Sequence, residues 1–226
     1  AIRGMRNPMN SWEKSDSAYC QILDDLTKEN YKWRCAGCKN EFVGRPNCYV
    51  VGPNDYDLMK RLRNAGTDHR KFMRMIAVYA DITAPLYWWK EADTYRAGVE
   101  KNSCSTMHKI AAKKFTLEDF SYENLFNEPE NGYFGRNAFS GLIDELNKAR
   151  NLYLSTKDKK YWYQMIQLLP SSYNQKRTVM MNYEVLCNIY HSRKGHKLEE
   201  WNQFCFWIEK LPNSELITGE RNVSTR

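Results

Sequence analysis

Apolar side chains recur roughly every three to four residues in several stretches of the chain, the spacing that places them on one face of an α-helix. Gly66 follows one such stretch, at the position where a helix commonly ends in a left-handed residue. The spacing predicts helices over residues 17–27, 56–65, 139–153, 176–192 and 197–210.

A different stretch alternates apolar and polar residues with a period of two, which is typical of a β-strand with one buried face. This strand is predicted over residues 75–83, and Pro85 is expected to end it. Residues 115–136 are polar and contain the letters PENGYFGR, which predicts a loop. The chain is therefore predicted to be a mixed domain of helices and strands, with helices in the majority. The apolar side of the strand consists of Ile76, Val78, Ala80 and Ile82.

The first 54 residues carry the least regular pattern. Outside the predicted helix at residues 17–27, prolines and glycines interrupt any periodicity. We therefore expect residues 1–54 to form an irregular N-terminal arm or lobe and residues 55–226 to form the main domain. The interrupting residues are Pro8, Gly37, Gly44, Pro46, Gly52 and Pro53.

Composition limits the class of protein. A chain of 226 residues with 42% hydrophobic residues can bury one sizeable core. No window approaches the roughly 18 consecutive apolar residues of a membrane span, and the first residues lack the apolar middle of a secretory signal. A soluble, cytoplasmic protein with no membrane partner is expected. Cys104, Cys187 and Cys205 lie in patterned segments where a thiol packs as a small apolar group, so reduced thiols are expected.

The formal charge of +7 arises from 34 basic and 27 acidic residues spread over the whole length. Such a mild bias favours an anionic ligand only weakly. Nucleic-acid binding requires basic residues gathered on one face and interleaved with exposed aromatic rings, which the sequence does not reveal. Nucleic acid is therefore not an expected partner.

The densest group of polar and aromatic residues lies at residues 83–108. It combines two adjacent tryptophans with cations and short hydrogen-bonding side chains, as a site for an aromatic, phosphate-bearing ligand would. Trp88 and Trp89 either stack on such a ligand or anchor the core. Ser105 lacks the partners of a Ser-His-Asp triad and a GxSxG turn, so its alternative role is to cap a helix that follows.

A second pattern lies in the predicted helix after Pro170. A helical wheel places an amide at one end of an apolar stripe and Arg193 with His196 at the other. These two residues either contribute to a site or favour the negative end of the helix dipole and face solvent. Gly195 offers a place for the helix to break, which would move His196 off the stripe. The stripe consists of Asn182, Leu186, Ile189, Arg193 and His196.

Cys35 and Cys38, flanked by Cys20 and Cys48, have the short spacing found in zinc knuckles and redox pairs. The chain has no second CxxC and the spacing of the four is uneven. We therefore predict no metal site.

Several motifs, in order and spacing, resemble those of the flavin-dependent thymidylate synthases, also called thymidylate synthase complementing proteins. The resemblance covers residues 66–208. It begins with Asp68 and His69 ahead of the strand, followed by Ala84 and Pro85 at the strand's end. A degenerate form of the signature RHRxxSxNxxSxRY then retains Arg96, Asn102 and Ser105. The C-terminal part resembles the family at Leu169, Pro170, Tyr173, Thr178, Asn182, Arg193 and His196.

The resemblance implies an α+β fold, a single mixed domain with a central, largely antiparallel sheet flanked by several helices. It also implies a homotetramer with shared active sites, in which a flavoprotein methyltransferase of nucleotide biosynthesis binds FAD beside the pyrimidine deoxynucleotide dUMP. In that family reduced flavin supplies a hydride, methylenetetrahydrofolate supplies the carbon, and NADPH regenerates the flavin. The implied cofactor-binding residues are His69, Arg96, Asn102, Asn182 and His196; the implied substrate-binding residues are Lys90, Glu91, Ser105 and Arg193, with Ser105 and Arg193 also catalytic.

The chain departs from the family where Thr94, Met107 and Ile166 replace arginines. Each replacement removes a charge-assisted contact of about 1.5–3 kcal/mol. Either the ligand differs or other cations take over, for which the candidates are Lys90, Lys101, Lys109 and Arg177. Tyr95 and His108 also depart from the signature.

Two further interpretations remain open. One is a non-catalytic nucleotide-binding or assembly protein on the same fold, such as a sensor or a phage-related factor. The other is nucleic-acid binding through the basic N-terminal arm.

Overall fold

The computed structural model describes residues 1–19, 49–128, 131–132 and 135–219. Within these residues the helices are α1 (Ile2–Arg6), α2 (Pro53–Asn64), α3 (Leu86–Ala92), α4 (Thr106–Lys109), α5 (Gly135–Thr156), α6 (Lys159–Leu168), α7 (Tyr183–Arg193), α8 (Glu199–Glu209) and α9 (Glu215–Thr218). The strands are β1 (Ala18–Tyr19), β2 (Tyr49–Val50), β3 (Ala77–Pro85), β4 (Glu100–Ser103) and β5 (Asn174–Asn182).

The chain folds into two compact units. The first takes its described residues from Ala1–Val78, Ala97–Val99 and Met181–Arg226. The second consists of Tyr79–Arg96 and the described part of Glu100–Met180. The expected boundary between an arm and a main domain after residue 54 stays a prediction, because residues 20–48 lie outside the described residues.

An antiparallel sheet of three strands confirms the expected α+β class. Its order is β3-β5-β4, and β4 pairs with β5 so that Asn102 lies opposite Thr178. Along β3, Tyr79 and Asp81 are exposed whereas Ala80 and Ile82 are partly buried. The alternation predicted from the sequence is therefore confirmed, with the strand displaced toward Pro85.

The predicted helix over residues 176–192 is wrong in its first half. Those residues continue strand β5, and helix α7 begins only at Tyr183. Asn182 marks the change, since its side-chain oxygen accepts a hydrogen bond from the amide nitrogen of Val185 at 3.0 Å and so caps the new helix.

Other helix predictions are confirmed. Helix α2 ends before Gly66, which has a φ of 108°. Helix α8 buries Trp201, Cys205 and Ile208, which lie on one face of the helix predicted over residues 197–210. Helix α6 was not predicted. The helix predicted for residues 17–27 is wrong at its start, where β1 lies, and otherwise falls outside the described residues. None of the described helices is long and apolar enough to cross a membrane.

The core of the second unit lies between α5, α6 and the segment that precedes them. The buried side chains there interlock around Phe120, which is 1% exposed. Ile166, in the place of a family arginine, packs against this core and is partly buried. The fully buried members are Ile110, Phe115, Phe120, Ile143, Leu146, Ala149 and Met165.

In the first unit the N-terminal segment is fastened to α2 by a buried ion pair. The carboxylate of Asp55 accepts hydrogen bonds from Arg6 (2.7 Å), Ser15 (2.7 Å) and the hydroxyl of Ser17 (2.6 Å). Asp16 caps the start of the same helix by accepting from two backbone amides. Polar contacts of this kind specify where an otherwise irregular segment lies.

Candidate functional site

Arg193 and His196 lie together in the first unit, against the ring of Trp201. The guanidinium carbon of Arg193 is 4.6 Å from the ring centre of Trp201, and its Nη1 is 3.4 Å from Nε2 of His196. The amide nitrogen of Leu198 donates to Nδ1 of His196 at 3.1 Å. A neutral imidazole whose Nδ1 accepts carries its proton on Nε2. Arg193 and His196 therefore carry nitrogen donors side by side, groups of the kind that contact an oxygen of a phosphate or of a pyrimidine.

The break at Gly195 does not separate these residues. Gly195 has a φ of 73°, and α7 ends at Arg193. His196 leaves the helical stripe, as one alternative anticipated, yet the turn brings its ring back beside Arg193. The apolar members of the stripe, Leu186 and Ile189, are buried.

Asn182 combines a capping role with a donor group. Its Oδ1 holds the amide of Val185, which leaves the two protons of Nδ2 on the other side of the amide. Gly98 approaches this nitrogen so closely that a Cβ on Gly98 would lie 2.8 Å from it. The backbone of Gly98 has a φ of 74°, which suits glycine.

His69 is exposed and precedes a short 3₁₀ helix, Arg70–Met75. Its amide nitrogen donates to the carbonyl of Gly66 at 3.1 Å, and its backbone forms the N-cap of this 3₁₀ helix. The neighbouring Arg70 is buried and forms an ion pair with Glu184 at 2.9 Å. Sequence reasoning missed this pair, because its members are 114 positions apart and no local pattern links them.

In the second unit, Lys90 and Glu91 occupy the last turn of α3. Lys90 is exposed and Glu91 partly buried. Thr94, which stands in place of a family arginine, donates its hydroxyl to the carbonyl of Glu91 at 2.7 Å. This contact satisfies a carbonyl at the end of the helix, so Thr94 has a local structural role.

The two tryptophans of α3 are core residues. Trp88 and Trp89 are 3% and 1% exposed, and their rings meet edge to face at 4.8 Å. The indole nitrogen of Trp89 donates to the carbonyl of Gln175 at 2.9 Å. Buried rings in these positions offer no face to a flavin, so the core alternative is the one that the structure supports.

Asp93 holds two of the cations that were candidates to replace the missing arginines. Lys101 donates to its Oδ1 at 2.8 Å, and Nη1 of Arg177 lies 2.9 Å from Oδ1 and 3.1 Å from Oδ2. Burial alone would raise the pKa of Asp93, but hydrogen bonds from Lys101 and Arg177 and their positive charges lower it. Arg177 also lies over the ring of Trp89 at 4.2 Å. Both cations are therefore engaged within the unit, and Lys90 and Lys109 stay candidates.

Asn102 lies on the exposed face of the sheet beside Thr178. Register partners in an antiparallel pair project from the same face. The hydroxyl of Thr178 donates to Asp81 at 2.6 Å, and Lys176 pairs with the same carboxylate at 2.9 Å. The hydrogen bond from Thr178, followed by the contact and charge of Lys176, lowers the pKa of Asp81. Asn102 is therefore exposed next to a fixed polar group.

Ser105 caps α4, as its alternative role predicted. Its side-chain oxygen accepts from the amide nitrogen of His108 at 3.3 Å, and the residue is exposed. Met107 is 52% exposed. Arg96 is also exposed, so its guanidinium is open to solvent.

Within the described residues no group of three or more histidine, cysteine or acidic side chains could hold a metal ion. Cys20, Cys35, Cys38 and Cys48 lie outside the described residues. Cys104, Cys187 and Cys205 are free thiols. Burial raises the pKa of Cys205 to about 11, with Glu209 adding to the shift, so this thiol is unreactive at neutral pH. Cys104, expected to pack as an apolar group, is instead exposed.

The predicted site residues are thus divided between the two units. His69, Asn182, Arg193 and His196 belong to the first, and Lys90, Glu91, Arg96, Asn102 and Ser105 to the second. Direct contact is seen between Arg193 and His196.

No family model matches the chain, and no curated protein matches it in sequence. Solved structures do. A flavin-dependent thymidylate synthase ThyX from Helicobacter pylori, complexed with FAD and dUMP, is 17% identical with a TM-score of 0.55, over 75% of this chain and 83% of that chain. A second ThyX structure from the same organism, with FAD and dUMP, is 16% identical with a TM-score of 0.60, over 97% of this chain and 90% of that chain.

A UMP/dUMP methylase PolB from Streptomyces cacaoi, bound with 5-Br UMP, is 12% identical over 71% of this chain and 86% of that chain. Its TM-score of 0.46 is too low to support a common fold. The two ThyX structures show that this chain has a ThyX-like fold.

Proposed function

We propose that this protein binds FAD and a pyrimidine deoxynucleotide such as dUMP, and that it transfers a one-carbon unit to the pyrimidine. The observation that carries the proposal is the likeness in fold, over 97% of the chain, to a synthase whose structure holds both ligands. Because the two chains are only 16% identical, the likeness in fold does not by itself assign ligand contacts to residues of this chain.

The nucleotide is assigned to Arg193 and His196. The nitrogen donors of these two residues lie side by side, and the guanidinium of Arg193 lies over the ring of Trp201. A planar guanidinium donates two parallel hydrogen bonds to a phosphate or to a pyrimidine edge, which a lysine cannot do. Lys90 and Glu91 are proposed to contribute further contacts to the nucleotide.

The chemistry of the remaining residues fits FAD. Its pyrophosphate requires cations, and its ring carbonyls and nitrogens require donors. Arg96 is an exposed cation, Asn102 is an exposed amide, and Asn182 keeps its amide protons although its oxygen is used as a cap. His69 and His196 are proposed to complete the set. Reduced FAD, when bound, would supply a hydride, with methylenetetrahydrofolate as carbon source and NADPH as reductant.

A second candidate function is nucleotide binding without turnover. Three observations favour it: Ile166 is part of the core, Thr94 holds a helix carbonyl, and Lys101 and Arg177 are engaged by Asp93. The side-chain oxygen of Ser105, whose proposed role is catalytic, accepts the hydrogen bond that caps α4. On this alternative the protein binds ligands but lacks the cations that stabilise the reacting groups.

Binding is tested first with Arg193→Lys, which keeps the charge and removes the planar fork. Isothermal titration with dUMP should show affinity at least tenfold weaker than for the unchanged protein. The exposed Arg74 supplies a matched control, because Arg74→Lys makes the same exchange elsewhere in the first unit. Equal affinity of both variants, or no binding of FAD or dUMP by the unchanged protein, would refute the proposal.

Turnover is tested with dUMP deuterated at C5, in the presence of FAD, NADPH and methylenetetrahydrofolate. The enzyme function requires deuterium release and formation of a methylated pyrimidine. Binding of FAD and dUMP without release of deuterium supports the second candidate. The homotetramer with shared sites and the cytoplasmic location stay predictions, and sedimentation velocity tests the first of them.

A further inference from the structure

Basic residues outnumber acidic residues by seven in two segments of the second unit, residues 105–115 and 148–164. They contain eight of the 34 basic residues and one of the 27 acidic residues. The rest of the chain therefore has 26 residues of each sign and is formally neutral, so these two segments account for the whole net charge of +7. In the first unit residues 60–74 are also basic, with six basic residues and one acidic residue.

The fold joins these segments into one surface, which we call the basic hairpin. Arg150 donates through Nε to the carbonyl of Ala111 at 3.0 Å, and the indole nitrogen of Trp162 donates to the carbonyl of Met107 at 3.1 Å. The apolar side chains of both segments share the core around Phe120. Their charged side chains project away from that core.

Much of this charge is not neutralised within the protein. Three of the lysines have acidic partners: Lys113 with Asp119, Lys148 with Glu145 and Lys160 with Asp158. In the part of the chain that the structure describes, no carboxylate pairs with the exposed side chains of Lys109, Lys114, Lys157 and Lys159.

Aromatic rings alternate with these cations at the tip of the hairpin. Lys157 lies 5.9 Å from the ring centre of Tyr153, Lys159 lies 5.5 Å from that of Tyr163, and Lys160 lies 4.8 Å from that of Tyr161. Tyr163 is 46% exposed.

The turn between the two helices fixes the first of these lysines. Lys157 has a φ of 58°, and its amide nitrogen donates to the carbonyl of Tyr153 at 2.8 Å. Asp158 then caps α6 by accepting from the amide nitrogen of Lys160. The backbone that presents the lysines and tyrosines is therefore held by hydrogen bonds on both sides of the turn.

We propose that the basic hairpin binds single-stranded nucleic acid. Ammonium groups neutralise backbone phosphates, and exposed rings offer stacking surfaces to unpaired bases. The carboxylates of an acidic protein would pair with the lysines, but such a partner has few flat rings to stack on the tyrosines. A membrane surface favours a broad apolar face beside the charge. Met107, Leu152 and Leu154 are exposed in these segments, so binding to lipid vesicles is measured as the competing outcome. This surface adds to the proposed nucleotide chemistry and does not depend on it.

The test measures binding of the full chain to a fluorescein-labelled oligothymidylate of about 20 nucleotides by anisotropy, across a range of salt concentrations. The triple variant Lys157→Gln, Lys159→Gln, Lys160→Gln should bind at least tenfold more weakly at low salt. The slope of log K against log salt should fall by about 2 in magnitude, since each phosphate contact contributes about 0.7. Tyr163→Leu should weaken binding about tenfold and Tyr163→Phe should leave it unchanged, because only a ring can stack.

The matched control removes the same charge from the first unit, with Lys60→Gln, Lys71→Gln and Lys197→Gln, all exposed lysines. It should change affinity less than twofold. An equal loss in the control variant, or an unchanged salt slope in the hairpin variant, would overturn the proposal. Binding to vesicles of phosphatidylserine and phosphatidylcholine, or to polyglutamate, with no binding to the oligonucleotide would overturn it too.

Discussion

Asn182 carries a structural and a proposed chemical function on the two ends of one amide. The oxygen caps α7, and the nitrogen carries the donors that are proposed to contact a flavin. These functions respond differently to substitution, because aspartate caps a helix as well as asparagine but has no donor at neutral pH. The same residue is therefore suited to separating folding from ligand binding.

Asn182→Asp should leave the free energy of unfolding within about 0.5 kcal/mol and weaken FAD binding about tenfold. Asn182→Ala should lose about 1 kcal/mol of stability and should also weaken FAD binding about tenfold. Urea unfolding and FAD titration measure the two effects. Unchanged FAD affinity in both variants would limit Asn182 to its capping role.

Gly98 provides a second test at this position. Gly98→Ala adds a Cβ at 2.8 Å from Nδ2 of Asn182 and is expected to cost about 2–3 kcal/mol of stability in urea unfolding. Gly195 has nearly the same φ, 73°, with nothing within 4 Å of an added Cβ. Gly195→Ala should lower the free energy of unfolding by about 1 kcal/mol, the cost of holding an alanine in a left-handed backbone conformation. In the Asn182→Ala background the cost of Gly98→Ala should fall toward that of Gly195→Ala, because only the contact with Cγ2 of Val185 at 3.3 Å remains. An unchanged cost would contradict the steric explanation.

At the scale of elements, α2 and the N-terminal segment depend on one carboxylate. Burial alone would raise the pKa of Asp55, but hydrogen bonds from Ser17, Ser15 and Arg6, with the charge of Arg6, lower it. The ionised form is therefore favoured by folding. A buried arginine left without this partner would cost several kcal/mol.

The stability that Asp55 provides should depend on pH. Because its pKa is lower in the folded state, its contribution is fully present above its unfolded pKa of about 3.9 and is lost as pH falls through the folded value. Asp55→Asn should therefore be less stable by about 3–5 kcal/mol at pH 7, and the difference should shrink below about pH 4. Urea unfolding across this pH range measures it, and a constant difference would contradict the argument.

The control for Asp55 is Asp57, on the same helix. Asp57 pairs with Arg61 at 2.9 Å, and both side chains are well exposed. Asp57→Asn should cost less than about 1 kcal/mol at pH 7, because water screens the pair.

At the scale of the whole molecule, the two units carry different chemistry. The first holds Arg193, His196 and Asn182, the residues proposed to bind a nucleotide and a flavin. The second holds the basic hairpin, along with Arg96 and Asn102. A ligand that binds the folded chain stabilises it by mass action, so its effect is read from global unfolding.

With FAD or dUMP at about a hundredfold excess over Kd, the folded state should gain about 2.7 kcal/mol. For a chain of this length the melting temperature should rise by roughly 5–10 °C. Differential scanning calorimetry measures the shift, with dAMP as the control nucleotide. A shift with dAMP equal to that with dUMP would show that the site does not recognise a pyrimidine.

The sequence determined those features in which a local pattern requires a local structure. The period of two at β3, the apolar stripe of α8 and the turn at Gly66 follow from side chains a few positions apart. The resemblance in motifs likewise anticipated the fold, and it named Arg193 and His196, which the structure brings into contact.

The tertiary structure decided what depends on distant partners. Strand β5 exists because β4 pairs with it, and Lys101 and Arg177 are engaged because Asp93 lies between them. The basic hairpin arises because a shared core brings together two segments more than thirty positions apart. Backbone pairing, desolvation and electrostatic attraction join residues that are far apart in the sequence. The local pattern of apolar and polar residues therefore does not reveal them.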